Sequence, residues 1–166
     1  PAILRSEAVQ AISVGIETVR EAKAAGLTAV GIGEMGIGNT TTSSAVLCAL
    51  TGASVADVTG RGGGLTDEGY QKKLAVIEAA LALHRPDAND PIDVLTKVGG
   101  LDLAAMTGAY LGCAAEHIPA VVDGFISIVA ALCAVRLCPA ARDYLFLSHA
   151  SYEIGYRIAA QELGQE

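Results

Sequence analysis

The sequence contains no tryptophan and few other aromatic residues, which make up 4% of its 166 positions. Long apolar runs are also missing. The strongest candidate, residues 124–135, is shorter than the about 18 residues that a membrane span requires. The first residues, PAILRSEAVQ, lack a basic start followed by an apolar core, so no secretory signal is expected. These absences predict a cytoplasmic protein without a membrane partner.

Positive charge is scarce. The sequence has 11 lysine and arginine residues against 18 acidic residues, which gives a net charge of −7. This balance argues against a nucleic-acid partner, because such surfaces are rich in lysine and arginine. It leaves room for a local phosphate site, since one lysine and a few backbone N–H groups are enough to bind a phosphate.

No pair of cysteines has the spacing of a metal site. The sequence has four of them, Cys48, Cys113, Cys133 and Cys138. We expect all four to be small buried apolar residues in a reducing compartment, and we expect no metal ion.

The apolar pattern predicts helices alternating with strands. Predicted helices cover residues 6–25, 40–50, 70–85, 93–98, 102–117, 124–137 and 150–163, and predicted strands cover residues 27–33, 120–123 and 144–148. This alternation favours parallel strands with helices on both faces, in a single Rossmann-like α/β domain over residues 1–166. Gly108 and Gly112 lie one turn apart, which predicts that a neighbouring backbone comes close to that helix.

Three strands are few for a fold of this class. The apolar faces of so small a sheet would lack partners. The chain also begins with Pro1 and ends within a helical pattern. We therefore expect an incomplete domain of a larger enzyme, or a fragment that completes itself by association.

The most informative stretch is AVGIGEMGIGNTTTSSA, residues 29–45, where a strand leads into a helix. Backbone N–H groups around Gly36 and Gly38 would point outward at the positive end of that helix, which favours an anion. Glu34 is unusual there, because a carboxylate beside a bound anion is repelled by it and is costly unless the carboxylate has a function.

Residues 31–36, GIGEMG, also satisfy the G-x-G-x-x-G pattern of dinucleotide-binding folds. The second strand that such a fold needs is poorly supported around Asp57, and Glu34 would face the pyrophosphate. An NAD-dependent oxidoreductase remains an alternative on this motif alone. A Walker-type phosphate loop is excluded, because the sequence has no Gly-Lys-Ser or Gly-Lys-Thr.

Polar residues gather where the strands should end, the edge at which open parallel sheets bind ligands. They are Glu34, Asn39, Thr40, Asp123, Ser148, His149 and Ser151, with Lys72 and Lys73 following the glycine loop GRGGGLTDEG. Three of them have a structural alternative: Asp123 could cap the next helix, and the two lysines could form a solvated helix face. A Ser-His-Asp hydrolase is disfavoured, because Ser148 and His149 would point to opposite faces of a strand.

Five segments occur together and in order: GIGEMGIGNTTTSSA, GRGGGLTDEGYQKK, DVLTKVGGLDLAAMTGAYLG, AVVDGF and SHASYEIG. In this combination the chain resembles the nicotinate-nucleotide–dimethylbenzimidazole phosphoribosyltransferase family over practically its whole length. The resemblance implies exchange of the nicotinate of nicotinate mononucleotide for 5,6-dimethylbenzimidazole, with inversion at the anomeric carbon. It implies no cofactor, a role in making the lower ligand of cobalamin, and a homodimer.

The resemblance also assigns site residues. Glu34 would bond the ribose hydroxyls, or stabilise positive charge on the sugar as its bond to nicotinate breaks. Lys73, favoured over Lys72, would pair with the phosphate. The remaining implied substrate-binding and phosphate-binding residues are Gly36, Gly38, Asn39, Thr40, Gly62, Gly63, Gly64, Asp102, Asp123 and Ser151.

One departure from the family pattern stands out. Family enzymes are about double this length, and their general base is a glutamate in a later glycine-rich loop that has no counterpart after Ser151. Much of the slot for the acceptor base is built by earlier segments that are also missing. We therefore expect a central nucleotide-binding core, truncated at both ends, that binds nicotinate mononucleotide weakly and turns it over poorly alone. A non-catalytic nucleotide-binding module is the alternative.

Overall fold

The computed structural model of the chain describes residues 1–165. Its helices are α1 (Arg5–Ala24), α2 (Asn39–Thr51), α3 (Val55–Val58), α4 (Asp67–His84), α5 (Pro91–Val98), α6 (Leu101–Ala115), α7 (Gly124–Leu137) and α8 (Ile154–Leu163). Its strands are β1 (Val30–Ile32), β2 (Ala120–Val122) and β3 (Leu145–Leu147), with a 3-10 helix over Pro139–Tyr144. The α/β class predicted from the sequence is confirmed.

The three strands form one parallel sheet in the order β1-β2-β3. Gly31, Val121 and Phe146 lie side by side in its register and are exposed, Phe146 by 55%. Their neighbours Ile32 and Val122 point to the other face and are buried. One face of the sheet is therefore covered and the other is open in this chain, which agrees with the expected incomplete domain.

Helix α7 runs through the centre of the core. Every residue from Phe125 to Val135 is buried, and the helix packs against α2, α6 and α8. The apolar stretch at residues 124–135 is thus a core helix. Among the described residues, no helix is both long enough and apolar enough to cross a membrane.

Helices α1 and α6 are in close backbone contact. A Cβ atom added to Gly108 would lie 1.9 Å from the carbonyl oxygen of Ile12, and one added to Gly15 would lie 2.0 Å from that of Ala105. Only glycine permits so close an approach. The close contact predicted from Gly108 and Gly112 is confirmed.

The starts of α4 and α8 differ most from the sequence prediction. Helix α4 begins at Asp67 instead of residue 70, because the Thr66 side chain accepts a hydrogen bond from the Gly69 N–H at 3.2 Å. The glycine loop is correspondingly shorter. Helix α8 begins at Ile154 instead of residue 150, so the segment after β3 is an open loop.

Three of the four cysteines are buried, as expected. Burial raises the pKa of the Cys48 and Cys113 thiols to about 11 and that of Cys133 to about 12. The prediction was wrong for Cys138, which is exposed. It follows the last residue of α7, where the extended backbone before Pro139 turns the side chain away from the core.

We expect one thiol of the folded chain to react readily with a disulfide reagent at pH 8, and all four after unfolding. The reason is that the other three are both shielded and held well away from the thiolate form. A spectrophotometric thiol titration measures this count, and Cys138→Ser should abolish the fast phase. Fast reaction of a second thiol in the native protein would contradict the burial of the other three.

Candidate functional site

The loop between β1 and α2 is organised by the carboxylate of Glu34. One of its oxygens accepts the Gly36 N–H at 2.6 Å and a second hydrogen bond from the Asn39 side-chain amide. The same amide nitrogen donates to Asp102 at 3.1 Å. The structure thus brings four predicted site residues together. The Gly36 N–H, which was expected to bind a phosphate, instead donates to the Glu34 carboxylate.

Lys73 lies at the centre of a second group. Its side chain is buried although the preceding lysine, Lys72, is exposed. The ammonium donates to the Thr40 hydroxyl at 2.9 Å and to the Gly60 carbonyl at 3.0 Å. A Cβ added to Gly62 would lie 3.7 Å from the Lys73 nitrogen, so the glycine loop passes directly over it.

Burial lowers the pKa of Lys73, because removal from water disfavours the charged form. An ammonium has three N–H bonds, and only two of them have acceptors within residues 1–165. The third has no acceptor among these residues, and two of the loop residues that Lys73 contacts, Gly60 and Gly62, line a cleft.

That cleft, of about 430 Å³, separates the glycine loop from the segment that follows β3. Gly60, Arg61 and Gly62 form one wall, and the other includes His149, Ser151 and Glu153. Predicted residues Gly62 and Ser151 therefore face a common space. Gly63 and Gly64 do not line it and are exposed.

A third group lies at the ends of β2 and β3. Asp123 is 3.7 Å from the His149 ring nitrogen Nδ1, and it lies so close to Gly33 that a Cβ there would be 2.8 Å from a carboxylate oxygen. Asp123 occupies the N-cap position of α7 without accepting a side-chain capping bond. Its carboxylate therefore remains at the sheet edge, beside the Glu34 loop.

The geometry disfavours both enzyme classes raised as alternatives, a Ser-His-Asp hydrolase and an NAD-dependent oxidoreductase. The Ser148 hydroxyl donates to the Val122 carbonyl at 2.8 Å. It also lies 2.8 Å from His149 Nδ1, so the expectation that these two side chains point to opposite faces was wrong, because β3 ends at Leu147 and both residues follow it. The same ring nitrogen faces Asp123 at 3.7 Å, whereas a Ser-His-Asp hydrolase uses a different ring nitrogen for each partner. The region around Asp57 is helix α3 instead of the second strand of a dinucleotide fold. In addition, no group of three or more His, Cys, Asp or Glu residues suited to a metal ion occurs within residues 1–165.

Two buried hydroxyl groups hold the end of β1, just before the Glu34 loop, and they were not predicted from the sequence. Ser127 donates to the Ile32 carbonyl at 2.5 Å, and the Tyr110 hydroxyl lies 3.4 Å from the same oxygen. Both residues lie on apolar helices, where a polar position usually bonds within its own helix, so the sequence pattern held no signal for them. They fix the backbone one residue before the Gly33–Glu34 pair.

Comparison with known proteins first gives the class of enzyme. A family described as "Phosphoribosyltransferase" matches residues 1–166. The relatives narrow the class. The nicotinate-nucleotide–dimethylbenzimidazole phosphoribosyltransferase of Geobacter metallireducens is 54% identical over 166 residues, which cover 100% of this chain and 47% of that protein. That of Clostridium perfringens is 50% identical over 164 residues, covering 99% of this chain and 45% of that protein.

A solved structure agrees with these matches. A crystal structure of CobT from Thermus thermophilus is 40% identical, has a TM-score of 0.95, and is covered over 50% of its length by the whole of this chain. The chain belongs to the nicotinate-nucleotide–dimethylbenzimidazole phosphoribosyltransferase family. It spans about half the length of the curated relatives it matches.

Proposed function

We propose that the protein containing this chain exchanges the nicotinate of nicotinate mononucleotide for 5,6-dimethylbenzimidazole, giving α-ribazole 5′-phosphate for the lower ligand of cobalamin. The observation that carries the proposal is the buried Lys73 ammonium between Thr40 and the glycine loop. An ammonium so placed, with an N–H to spare, suits a phosphate group. Names of the relatives support the substrate pair.

The three groups of residues described above would have different roles in such a reaction. Lys73, Thr40, Gly62 and Ser151 would hold the 5′-phosphate in the cleft. Asn39, Asp102 and Asp123 would bond the ribose hydroxyls, beside Glu34. Gly38, Gly63 and Gly64 would contribute backbone N–H groups once a ligand is bound. Gly36 would do so only if the Glu34 carboxylate moves, because its N–H now donates to that carboxylate.

In the proposed reaction, the bond between the anomeric carbon and the nicotinate nitrogen breaks and its electron pair leaves with nicotinate. A nitrogen of dimethylbenzimidazole forms the new bond from the opposite face, and its ring loses a proton to a general base outside this chain. Glu34 carries negative charge next to the sugar, where positive charge develops, and would stabilise the transition state electrostatically.

We propose that residues 1–166 are a single nucleotide-binding core that the rest of a longer protein completes. The open sheet face with Val121 and Phe146 supports this, as does the length of the relatives. A homodimer in the cytoplasm, without a nucleic-acid partner, is also part of the proposal. The main alternative is a nucleotide-binding module that does not catalyse, since the implied general base is not in this chain.

Lys73→Ala in the full-length protein should weaken binding of nicotinate mononucleotide about 10- to 100-fold. The loss corresponds to one charge-assisted hydrogen bond to phosphate, about 1.5–3 kcal/mol. Isothermal titration calorimetry measures the dissociation constant, and the matched control is Lys72→Ala, whose side chain is exposed. Tight binding of NAD that is indifferent to Lys73 would overturn the proposed function.

A further inference from the structure

Glu153, at the N-cap of α8, was not singled out by the sequence motifs. Its oxygen Oε2 is buried and has no hydrogen-bond partner within residues 1–165. The oxygen presses against Gly60 on the opposite wall of the cleft, where an added Cβ would lie only 2.0 Å away. A buried carboxylate oxygen without a hydrogen bond is costly, so another interaction must offset that cost.

Lys73 is the cation that contacts the same loop residue, Gly60. The negative charge of Glu153 raises the pKa of Lys73 and so opposes the lowering caused by burial. The Lys73 ammonium donates to the carbonyl of Gly60, the same residue against which Glu153 packs. The ammonium from α4 and the carboxylate from α8 thus contact the same residue of the glycine loop.

The charged side chains on the other elements packed against α4 each have partners of their own. Helix α2 contains no charged residue. On α3, Asp57 accepts a hydrogen bond from Ser54 at 2.6 Å, and on α5, Asp93 and Lys97 pair with each other at 2.8 Å. In the glycine loop, Arg61 pairs with Asp67 and stacks over the ring of Tyr70.

We propose that Glu153 is a positioning residue of the phosphate subsite, which holds the Lys73 ammonium and the Gly60 backbone in the arrangement that a phosphate meets. The inference rests on the proposed function, because the subsite is the one assigned to the phosphate of nicotinate mononucleotide. Glu153 acts through Lys73 and does not contact the phosphate. Its negative charge favours the protonated form of Lys73, and its side chain packs across the cleft against Gly60.

The test is the pH dependence of binding to the full-length protein with Glu153→Gln. Without the carboxylate the pKa of Lys73 falls further, so the ammonium loses its proton, and the site its affinity, at lower pH. Over about pH 8.5–9.5, where both phosphates are almost entirely dianions, the decline in affinity should begin at lower pH in Glu153→Gln than in the unaltered protein. Affinity at the alkaline end should then be about tenfold weaker, for nicotinate mononucleotide and for inorganic phosphate.

Two variants sharpen the test. Glu162→Gln removes a carboxylate from the same helix that pairs with Arg136 at the surface, and it should leave the profile unchanged. Gly60→Ala displaces the Glu153 carboxylate without removing it, and it should shift the profile in the same direction as Glu153→Gln. Glu153→Asp, which keeps the charge on a shorter side chain, should return the profile toward that of the unaltered protein.

The possible results separate this inference from the proposed function. If the unaltered protein binds nicotinate mononucleotide and Glu153→Gln shows the same profile, the inference is overturned and the proposed function stands. A loss of affinity that is equal at every pH also overturns it, because it would mean a merely structural role. If the unaltered protein binds neither ligand, the proposed function and the inference fail together.

Discussion

Replacing Glu34 with glutamine in the full-length protein should slow base exchange by about 10²- to 10³-fold, with little change in the affinity for nicotinate mononucleotide. This is the size of effect that follows loss of one preorganised electrostatic group at a centre of developing charge. The carboxylate would act only when the sugar becomes positive, so its loss should appear in kcat and not in binding.

The substitution should remove the charge of residue 34 without removing its hydrogen bonds. The Glu34 oxygen that accepts the Gly36 N–H and the Asn39 amide can be replaced by the carbonyl oxygen of a glutamine, which accepts the same bonds. The loop should keep its shape while it loses its charge. A change in rate then reports on charge, whereas Glu34→Ala would also release the loop.

Formation of α-ribazole 5′-phosphate, followed by chromatography under saturating substrates, measures the rate. Glu17→Gln is the matched control, because Glu17 pairs with Arg20 on the exposed side of α1, away from the cleft. An unchanged rate in Glu34→Gln would mean that Glu34 only orders the loop. If neither the unaltered protein nor Glu34→Gln formed product while both bound nicotinate mononucleotide, the non-catalytic alternative would be favoured.

The sequence was most informative where the pattern is local. The span of α7 was predicted to the residue, and the three strands were found because short apolar runs between glycines and polar residues leave few other interpretations. The small residues of α6 predicted a close neighbour because glycine inside a helix is costly unless something uses the space. The identity of that neighbour, α1, needed the structure.

The candidate site depends on contacts between distant parts of the chain, and these were predicted less completely. Glu34 was recognised as out of place, but its bond to the Gly36 N–H depends on a side-chain rotamer that no spacing specifies. Glu153 escaped notice because its role arises from burial against Gly60, which is 93 positions earlier in the numbering. Sequence patterns predict which residues are available, and the tertiary fold decides which of them meet.

The largest stability effect should come from the crossing of α1 and α6. Gly108→Ala places a methyl group 1.9 Å from the Ile12 carbonyl oxygen and 2.7 Å from its carbonyl carbon, so the backbone of α1 must move. Alanine gains about 1 kcal/mol in helix propensity over glycine, but the displaced contacts outweigh it. We expect a net loss of about 3 kcal/mol in the free energy of unfolding, at the upper end for overpacked sites.

Two further glycine substitutions test whether the backbone contact causes this loss of stability. Gly112→Ala brings its methyl group 3.0 Å from the Val19 Cβ and 3.2 Å from the Ile16 backbone, distances that a small shift can relieve, so it should cost about 1 kcal/mol. Gly31→Ala, which meets no atom within 4 Å, should be close to neutral. Urea unfolding followed by circular dichroism gives the three values under one protocol. Equal effects at Gly108 and Gly112 would rule out the backbone contact as the cause, since only at Gly108 is an α1 backbone atom closer than 3 Å to the added methyl group.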